Sequence, residues 1–328
     1  MRHIGGGVLV ALLVFGSLGL LIGDFGSPGP HPLVVATNIW PGYEPLYLAR
    51  GLEAWSDEEI RLVECSSATQ ALRLFRNGDI DAAALTLDEA LLLRQDGIDA
   101  RVFLVLDISH GADAILAQPD IADFASLQGR RVGFESTALG SYVLTRACEL
   151  HHIDPATIEF IPLEINEHER AFLEGRLDGV VTFEPVRSRL LDQGANVVFD
   201  SRAIPNEIVD VLVARGDVFE DHAEQLDLLA RGWLLALDHI QTRPRDAAER
   251  MSRRLALSPE AVLEALTGLR LADAEINQRL LGGPDPELLT TAQTLASVML
   301  TRNLLHQRPP LNALIEPSII HRWSSPPP

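Results

Sequence analysis

The sequence predicts an α/β protein of two lobes, each a parallel-rich sheet covered by helices, with a run of further helices at the C-terminal end. Three observations carry that expectation. Short apolar runs alternate with amphipathic stretches in units of about 30 residues, the rhythm of parallel strands joined by crossover helices. The segment FRNGDIDAAALT at 75–86 has a counterpart in FLEGRLDGVVTF at 172–183, each with Phe, Gly three residues on, then Ile or Leu and Asp. Finally, VFLVLDISHGADAILAQP (102–119) and EIVDVLVARGD (207–217) hold strand-like runs without helices of their own. The chain is therefore expected to cross from lobe one to lobe two and back, and two crossings make a hinge.

Taken in order, Arg2 and His3 precede an uncharged run from Ile4 to Ile22. At 1.5 Å per residue this nearly matches a bilayer core of about 30 Å. Residues 1–23 are expected to be a membrane anchor or signal, and an uncleaved anchor is preferred because signal-peptide apolar regions usually run about 7–15 residues. Arg2 before the run and Asp24 after it place the bulk of the chain on the periplasmic or extracytoplasmic face. GDFGSPGPHP, with 24–32 as linker, is punctuated by Gly and Pro and reads as a tether. Lobe one then begins at 33 and runs to 112, with strands at 33–36 and 60–65 and a helix ending near Gly51. Lobe two, 113–209, repeats the plan with a strand at 131–134, a helix at 139–150 and a strand at 158–163. In each copy of the repeat a helix ends at a glycine suited to a left-handed cap and feeds a buried strand. Residues 210–315 return to lobe one and turn helical, as FEDHAEQLDLLARGWLLALDHIQ and the Ser258-Pro259-Glu260 start signal indicate, and 316–328 is read as a tail.

Acidic residues outnumber basic ones 46 to 27, a formal charge of −19, so a phosphate backbone would be repelled and nucleic acid is not an expected partner. An apolar fraction of 47% is ample for a core, and the charge is spread rather than blocked. Cys65 and Cys148 stand in no CxxC or Cys/His spacing, so neither a metal nor a cofactor is expected. G-x-S-x-G, H-E-x-x-H, the P-loop and a post-strand G-x-G-x-x-G are all missing, and the chain is read as a non-enzyme.

Ligands of open α/β sheets collect at the carboxyl ends of the strands. The candidates there are Asn38, Trp40 and Tyr43 after the first strand, Asp88 after the first repeat strand, Glu135, Ser136, Thr137 and Leu139 after 131–134, and Glu184 after the second repeat strand. Asp113 and Asp210 join them from the crossings. Trp40 and Tyr43 flank Pro41-Gly42 and are either one wall of a cleft or packing for the loop. The small first turn of the helix in FESTALGSYVLTR offers backbone N–H groups to an anionic head, or Ser136 and Thr137 merely cap it. The carboxylates Asp88, Asp113, Glu135, Glu184 and Asp210 oppose a naked small anion and favour an amine, a zwitterion or a donor-rich heterocycle. Taken singly, each reads as a solvated loop residue or a hinge hydrogen-bond acceptor rather than as a ligand contact. Glu184 is the strongest single candidate, because Pro185 at once begins a helix and fixes its direction.

The runs IWPGYEPLYLARG, GDIDAAALTLDEA with GRLDGVVTFEP, GADAILA, SLQGRRVGFESTALGSYVL and IPNEIVDVLVAR, in that family's order, resemble the nitrate, aliphatic-sulfonate and taurine binding proteins of ABC importers, a group that includes thiamine-precursor binders. The resemblance spans Leu33 to about Ile315. It implies the two-lobed periplasmic-binding-protein fold (type II), a monomer that captures one small organic molecule by hinge closure, and an ABC permease as partner. It carries ligand contact onto Trp40, Tyr43, Asp88, Ser136 to Leu139 and Glu184. The alternative it leaves open is a same-fold enzyme of thiamine-pyrimidine or menaquinone biosynthesis.

Overall fold

The computed structural model describes residues 31–136 and 138–323. The expected anchor at 1–23 and Thr137 lie outside the described residues; within them no helix is long and apolar enough to cross a membrane. The chain builds β1 (Leu33–Thr37), α1 (Glu44–Gly51), β2 (Ile60–Glu64), α2 (Ala68–Asn77), β3 (Ala82–Thr86), α3 (Leu87–Gln95) and β4 (Ala100–Ser109) before the first crossing. Then come β5 (Asp113–Ala117), β6 (Arg131–Phe134), α4 (Ala138–Leu150), β7 (Glu159–Pro162), α5 (Ile165–Leu173), β8 (Gly179–Phe183), α6 (Val186–Asp192) and β9 (Asn196–Asp200). The return gives β10 (Val209–Arg215), α7 (Val218–Asp221), α8 (Ala223–Thr242), α9 (Pro244–Leu255), α10 (Pro259–Thr267), β11 (Leu269–Leu271), α11 (Ala274–Leu281), α12 (Glu287–Thr301) and α13 (Ser318–Trp323).

Two sheets result, ordered β11-β4-β10-β3-β1-β2 and β7-β6-β8-β5-β9. In each, three strands are parallel, β2-β1-β3 and β7-β6-β8, and the crossing strand lies antiparallel beside the third, β10 on β3 and β5 on β8. The internal repeat is a structural one. Asp81 Oδ2 accepts from Val34 N at 2.8 Å and Asp178 Oδ2 accepts from Arg131 N at 2.9 Å, with the partners 47 residues apart in both copies. The two aspartates thus tie the start of the third strand to the start of the first in each lobe. Gly78 and Gly175, at φ 77° and 68°, end the preceding helices.

Strand alternation explains the double burial. In β10, Val209, Val211 and Val213 enter one apolar cluster with α3 and α12, while Leu212 and Ala214 enter the other with α1, α8 and α9. In β5, Ile115 and Ala117 face α4, and Ala114 and Leu116 face α5 and α6. The C-terminal helices pack on lobe one, as α8 against α1 and α12 against α3. β11, pairing antiparallel with β4 at the sheet edge, has no periodic signal in its three residues. The expected tail from 316 also departs from a loose end: Ile319 and Ile320 of α13 are buried, because Ile315 bridges to Val102 of β4 and delivers the chain onto the core.

Between the sheets the chain crosses at 110–112 and again at 201–208. The crossings bond to each other: Ser109 Oγ lies 2.8 Å from Ser201 Oγ, Gly111 N donates to Ser201 Oγ at 2.6 Å, and Ser109 N donates to the Ile208 carbonyl at 3.1 Å.

Candidate functional site

The carboxyl ends of β1, β3, β6 and β8 and the ends of the crossing strands β4, β5 and β10 meet at one rim. After β1 the chain turns over Pro41-Gly42, held by Tyr43 N donating to the Trp40 carbonyl at 2.9 Å. Trp40 Nε1 donates to Asp107 Oδ2 at 3.1 Å, and Tyr43 OH donates to Asp210 Oδ1 at 2.5 Å. Asp210 is central in its sheet, register partner of Asp107 on one side and of Thr86 on the other. Gly42 makes this closeness possible: a Cβ there would come within 1.9 Å of Asp107 Oδ2. Across the gap, Phe183 at the end of β8 meets Trp40 edge to face, ring centroids 5.6 Å apart.

An open-mouthed cavity lies between the lobes. Of the sequence candidates, Asn38, Trp40, Tyr43, Asp113, Glu135, Leu139 and Asp210 stand on its wall. Three others do not. Asp88 is buried but does not reach the wall. Ser136 is exposed. Glu184, buried as expected, turns its carboxylate onto its own helix, where it accepts from Arg187 Nη1 at 2.9 Å and Ser188 N at 3.1 Å. The proline that directs the chain into α6 also brings Glu184 against that helix's first turn, and Arg187 satisfies it there.

Sequence reasoning missed Glu89, His168 and Thr182 on the wall and Asp107 behind Trp40. Two left a signal. Thr86-x-x-Glu89 is a capping-box spacing, and Glu89 Oε2 accepts from Thr86 N at 3.1 Å, which fixes the side chain at a helix start on the cavity wall. Asp107 is the one carboxylate inside the apolar run VFLVLDIS. His168, on a polar-looking stretch of α5, had none; its ring lies 3.4 Å from Thr182 Oγ1 and 3.3 Å from the Leu163 carbonyl.

Electrostatically the wall is one-sided. Burial raises the Asp113 carboxyl to about 7, aided by the charges of Asp88 and Glu184 and opposed by the Ser109 hydroxyl. Holding that group ionised at neutral pH therefore costs on the order of 4 kcal/mol relative to water. Burial, with the neighbouring Asp88 charge, also raises Glu89, and burial raises Glu135. Asp107 and Asp210 are both pushed up by burial and by the charges of neighbouring carboxylates. Burial depresses His168 to about 4, which keeps its ring neutral. Cys65 and Cys148 are buried away from the cavity and both are raised by burial, Cys148 to about 11. Among the described residues, no three His, Cys, Asp or Glu ligand atoms on the wall lie within 4.8 Å of one another, so the carboxylates surround a space rather than a point.

The lobes touch around this cavity. Thr69, at the start of α2, donates from both N and Oγ1 to Glu135 Oε1, at 3.2 and 2.9 Å. Tyr142 of α4 packs into the lobe-one cluster that holds Leu87 and Leu91, and Arg302, after α12, pairs with Glu149 of α4.

The model of the NMT1-like family matches residues 26–256. No curated protein matches the chain in sequence. Among solved structures, the alkanesulfonate-binding protein SsuA from Xanthomonas axonopodis pv. citri, bound to MOPS, superposes with a TM-score of 0.74 at 16% identity, covering 89% of this chain and 100% of that one. The periplasmic aliphatic sulphonate binding protein SsuA from Escherichia coli gives 0.71 at 18%, with 89% and 100% covered. The desulfurization enzyme DSZB gives 0.65 at 16%, covering 88% of this chain and 98% of that one. At these identities the likeness establishes the two-lobed fold, which hosts both binding proteins and an enzyme.

Proposed function

We propose that this chain, which belongs to the NMT1-like family, is the extracytoplasmic solute-binding component of an ABC importer, capturing a small organic molecule between its lobes by hinge closure. One observation carries the reading: a cavity at the carboxyl ends of the strands is walled by side chains of both lobes, and two short crossings join those lobes. Contacts made to a guest by Trp40, Tyr43 and Asp210 from one side and Asp113, Glu135 and Leu139 from the other exist together only when the lobes are closed. Binding then favours the closed form by that difference in contact energy. Thr69, Glu135, Trp40 and Phe183 supply cross-lobe contacts that bias the same equilibrium. The two sulfonate-binding proteins that share the fold support a receptor role; a permease as partner, a monomer as the working unit and residues 1–23 as tether complete the same reading. In this reading lobe one comprises 33–112 with 210–315 and lobe two 113–209; the membership of β5 to β9 in one sheet and of the remaining strands in the other supports it.

The enzyme reading has one specific support, the desulfurization enzyme on the same fold. Against it stands His168, whose ring lies between Thr182 Oγ1 and the Leu163 carbonyl rather than free to act on a guest. Thermal denaturation of the full chain with sulfonates, amines, betaines and pyrimidines tests the proposal. A binder at a hundred times its Kd stabilises by about 2.7 kcal/mol. The receptor reading expects such a compound to be recovered chemically unchanged; its conversion would establish the enzyme instead.

A further inference from the structure

Resting on the receptor reading above, we infer that the guest is an organic cation, a protonated amine or amidine, whose charged nitrogen sits among Glu89, Asp113 and Asp210. Each of these side chains is at least nine-tenths buried and lines the cavity. Each also has one oxygen shielded from solvent and without a hydrogen-bond partner: Glu89 Oε1, Asp113 Oδ2 and Asp210 Oδ2. Three buried acceptors left unmatched around one space are costly unless a donor arrives, and an ammonium or amidinium brings several donors together with the opposite charge.

Among the described residues, the wall holds no compensating cation. Its lining residues include neither Arg nor Lys, and all 27 basic residues of the chain are arginines, so no flexible ammonium from the protein can swing in. Nearby arginines are engaged elsewhere, Arg187 with Glu184 and Arg146 with Glu207. A sulfonate or carboxylate ligand would therefore meet Glu89, Asp113, Glu135 and Asp210 with no positive partner. The spread of the ligand atoms disfavours a bare metal ion, since no three on the wall come within 4.8 Å of one another among the described residues. Trp40, Tyr43 and Phe183 offer ring surface to the same space, which suits the organic part of a cation and attracts its charge.

The test is titration calorimetry on the full chain with benzylamine, benzamidine and choline, set against benzenesulfonate and butanesulfonate. At least one of the three cations is expected to bind with measurable heat while both sulfonates stay silent, and Glu89→Gln and Asp113→Asn are each expected to weaken that binding at least tenfold. The thermal midpoint of the unliganded variants, which keep the shape and lose the buried charge, separates lost recognition from lost folding. Preferential binding of a sulfonate overturns the charge assignment and leaves the receptor reading intact. Undiminished cation binding by both variants overturns it as well, and silence from compounds of both charges counts against the two readings together.

Discussion

Gly42 and Trp40 show why a loop carries two aromatic side chains. Trp40 is 4% exposed, belongs to the lobe-one core and also lines the cavity, so packing and wall are one role. Replacing it by Ala should cost about 3–5 kcal/mol in urea unfolding, the usual toll for emptying a large aromatic site. Trp40→Phe keeps an aromatic face while it removes the donor to Asp107 and part of the buried indole volume, and should cost about 1–3 kcal/mol. Gly42→Ala sets a methyl on Asp107 Oδ2 and should destabilise by about 1–3 kcal/mol with an altered tryptophan emission, since the Trp40 bond must shift to make room. If Gly42→Ala is as stable as the parent with unchanged emission, the close approach of this turn to β4 is not what holds Trp40.

Between elements, the informative contact is α2 to the segment after β6, where Thr69 gives two hydrogen bonds to one Glu135 oxygen across the lobes. Thr69→Val removes the hydroxyl donor and keeps the shape. It should shift the population toward an open form, seen as a larger radius of gyration in solution scattering, and weaken guest binding about three- to tenfold, which is about 0.7–1.4 kcal/mol. An unchanged radius with unchanged affinity would make this bond incidental to closure. The element pattern was well exposed in the sequence. Parallel strands buried on both faces read as apolar runs, and the paired Asp81 and Asp178 marked the repeat because each performs the same backbone capping in its lobe. What stayed hidden depended on distant partners. β11 has three residues and gains its identity from β4. His168 sits on an ordinary amphipathic helix until Thr182 and Leu163 come beside it. Glu184 had the right position at a strand end, yet Arg187, one turn along, takes its charge.

Over the whole molecule, buried carboxyls make stability depend on pH in an unusual direction. Asp113 and Glu44 are raised to about 7, both chiefly by burial, and Arg254 only partly opposes the shift at Glu44. In the unfolded chain they ionise near about 4. The folded state therefore binds more protons between those values, its extra stability is full below about 4, and it is lost as pH rises through about 7. His168, depressed to about 4, acts in the opposite sense below its unfolded value and is neutral in both states above about 6.5. The window from pH 6.5 to 8 is thus governed by the acids. The thermal midpoint of the unliganded protein should fall across it, and Asp113→Asn should flatten the fall and gain about 1–3 kcal/mol at pH 8. A midpoint that rises over this window would mean that the carboxyls are ionised and matched already. The central claim is that the two lobes close on one guest, and small-angle scattering of the full chain, with and without a saturating amount of the cation that binds most tightly in calorimetry, tests it most directly. A smaller radius of gyration on binding, diminished in Asp113→Asn at the same concentration, is the predicted result; binding with no contraction would contradict it.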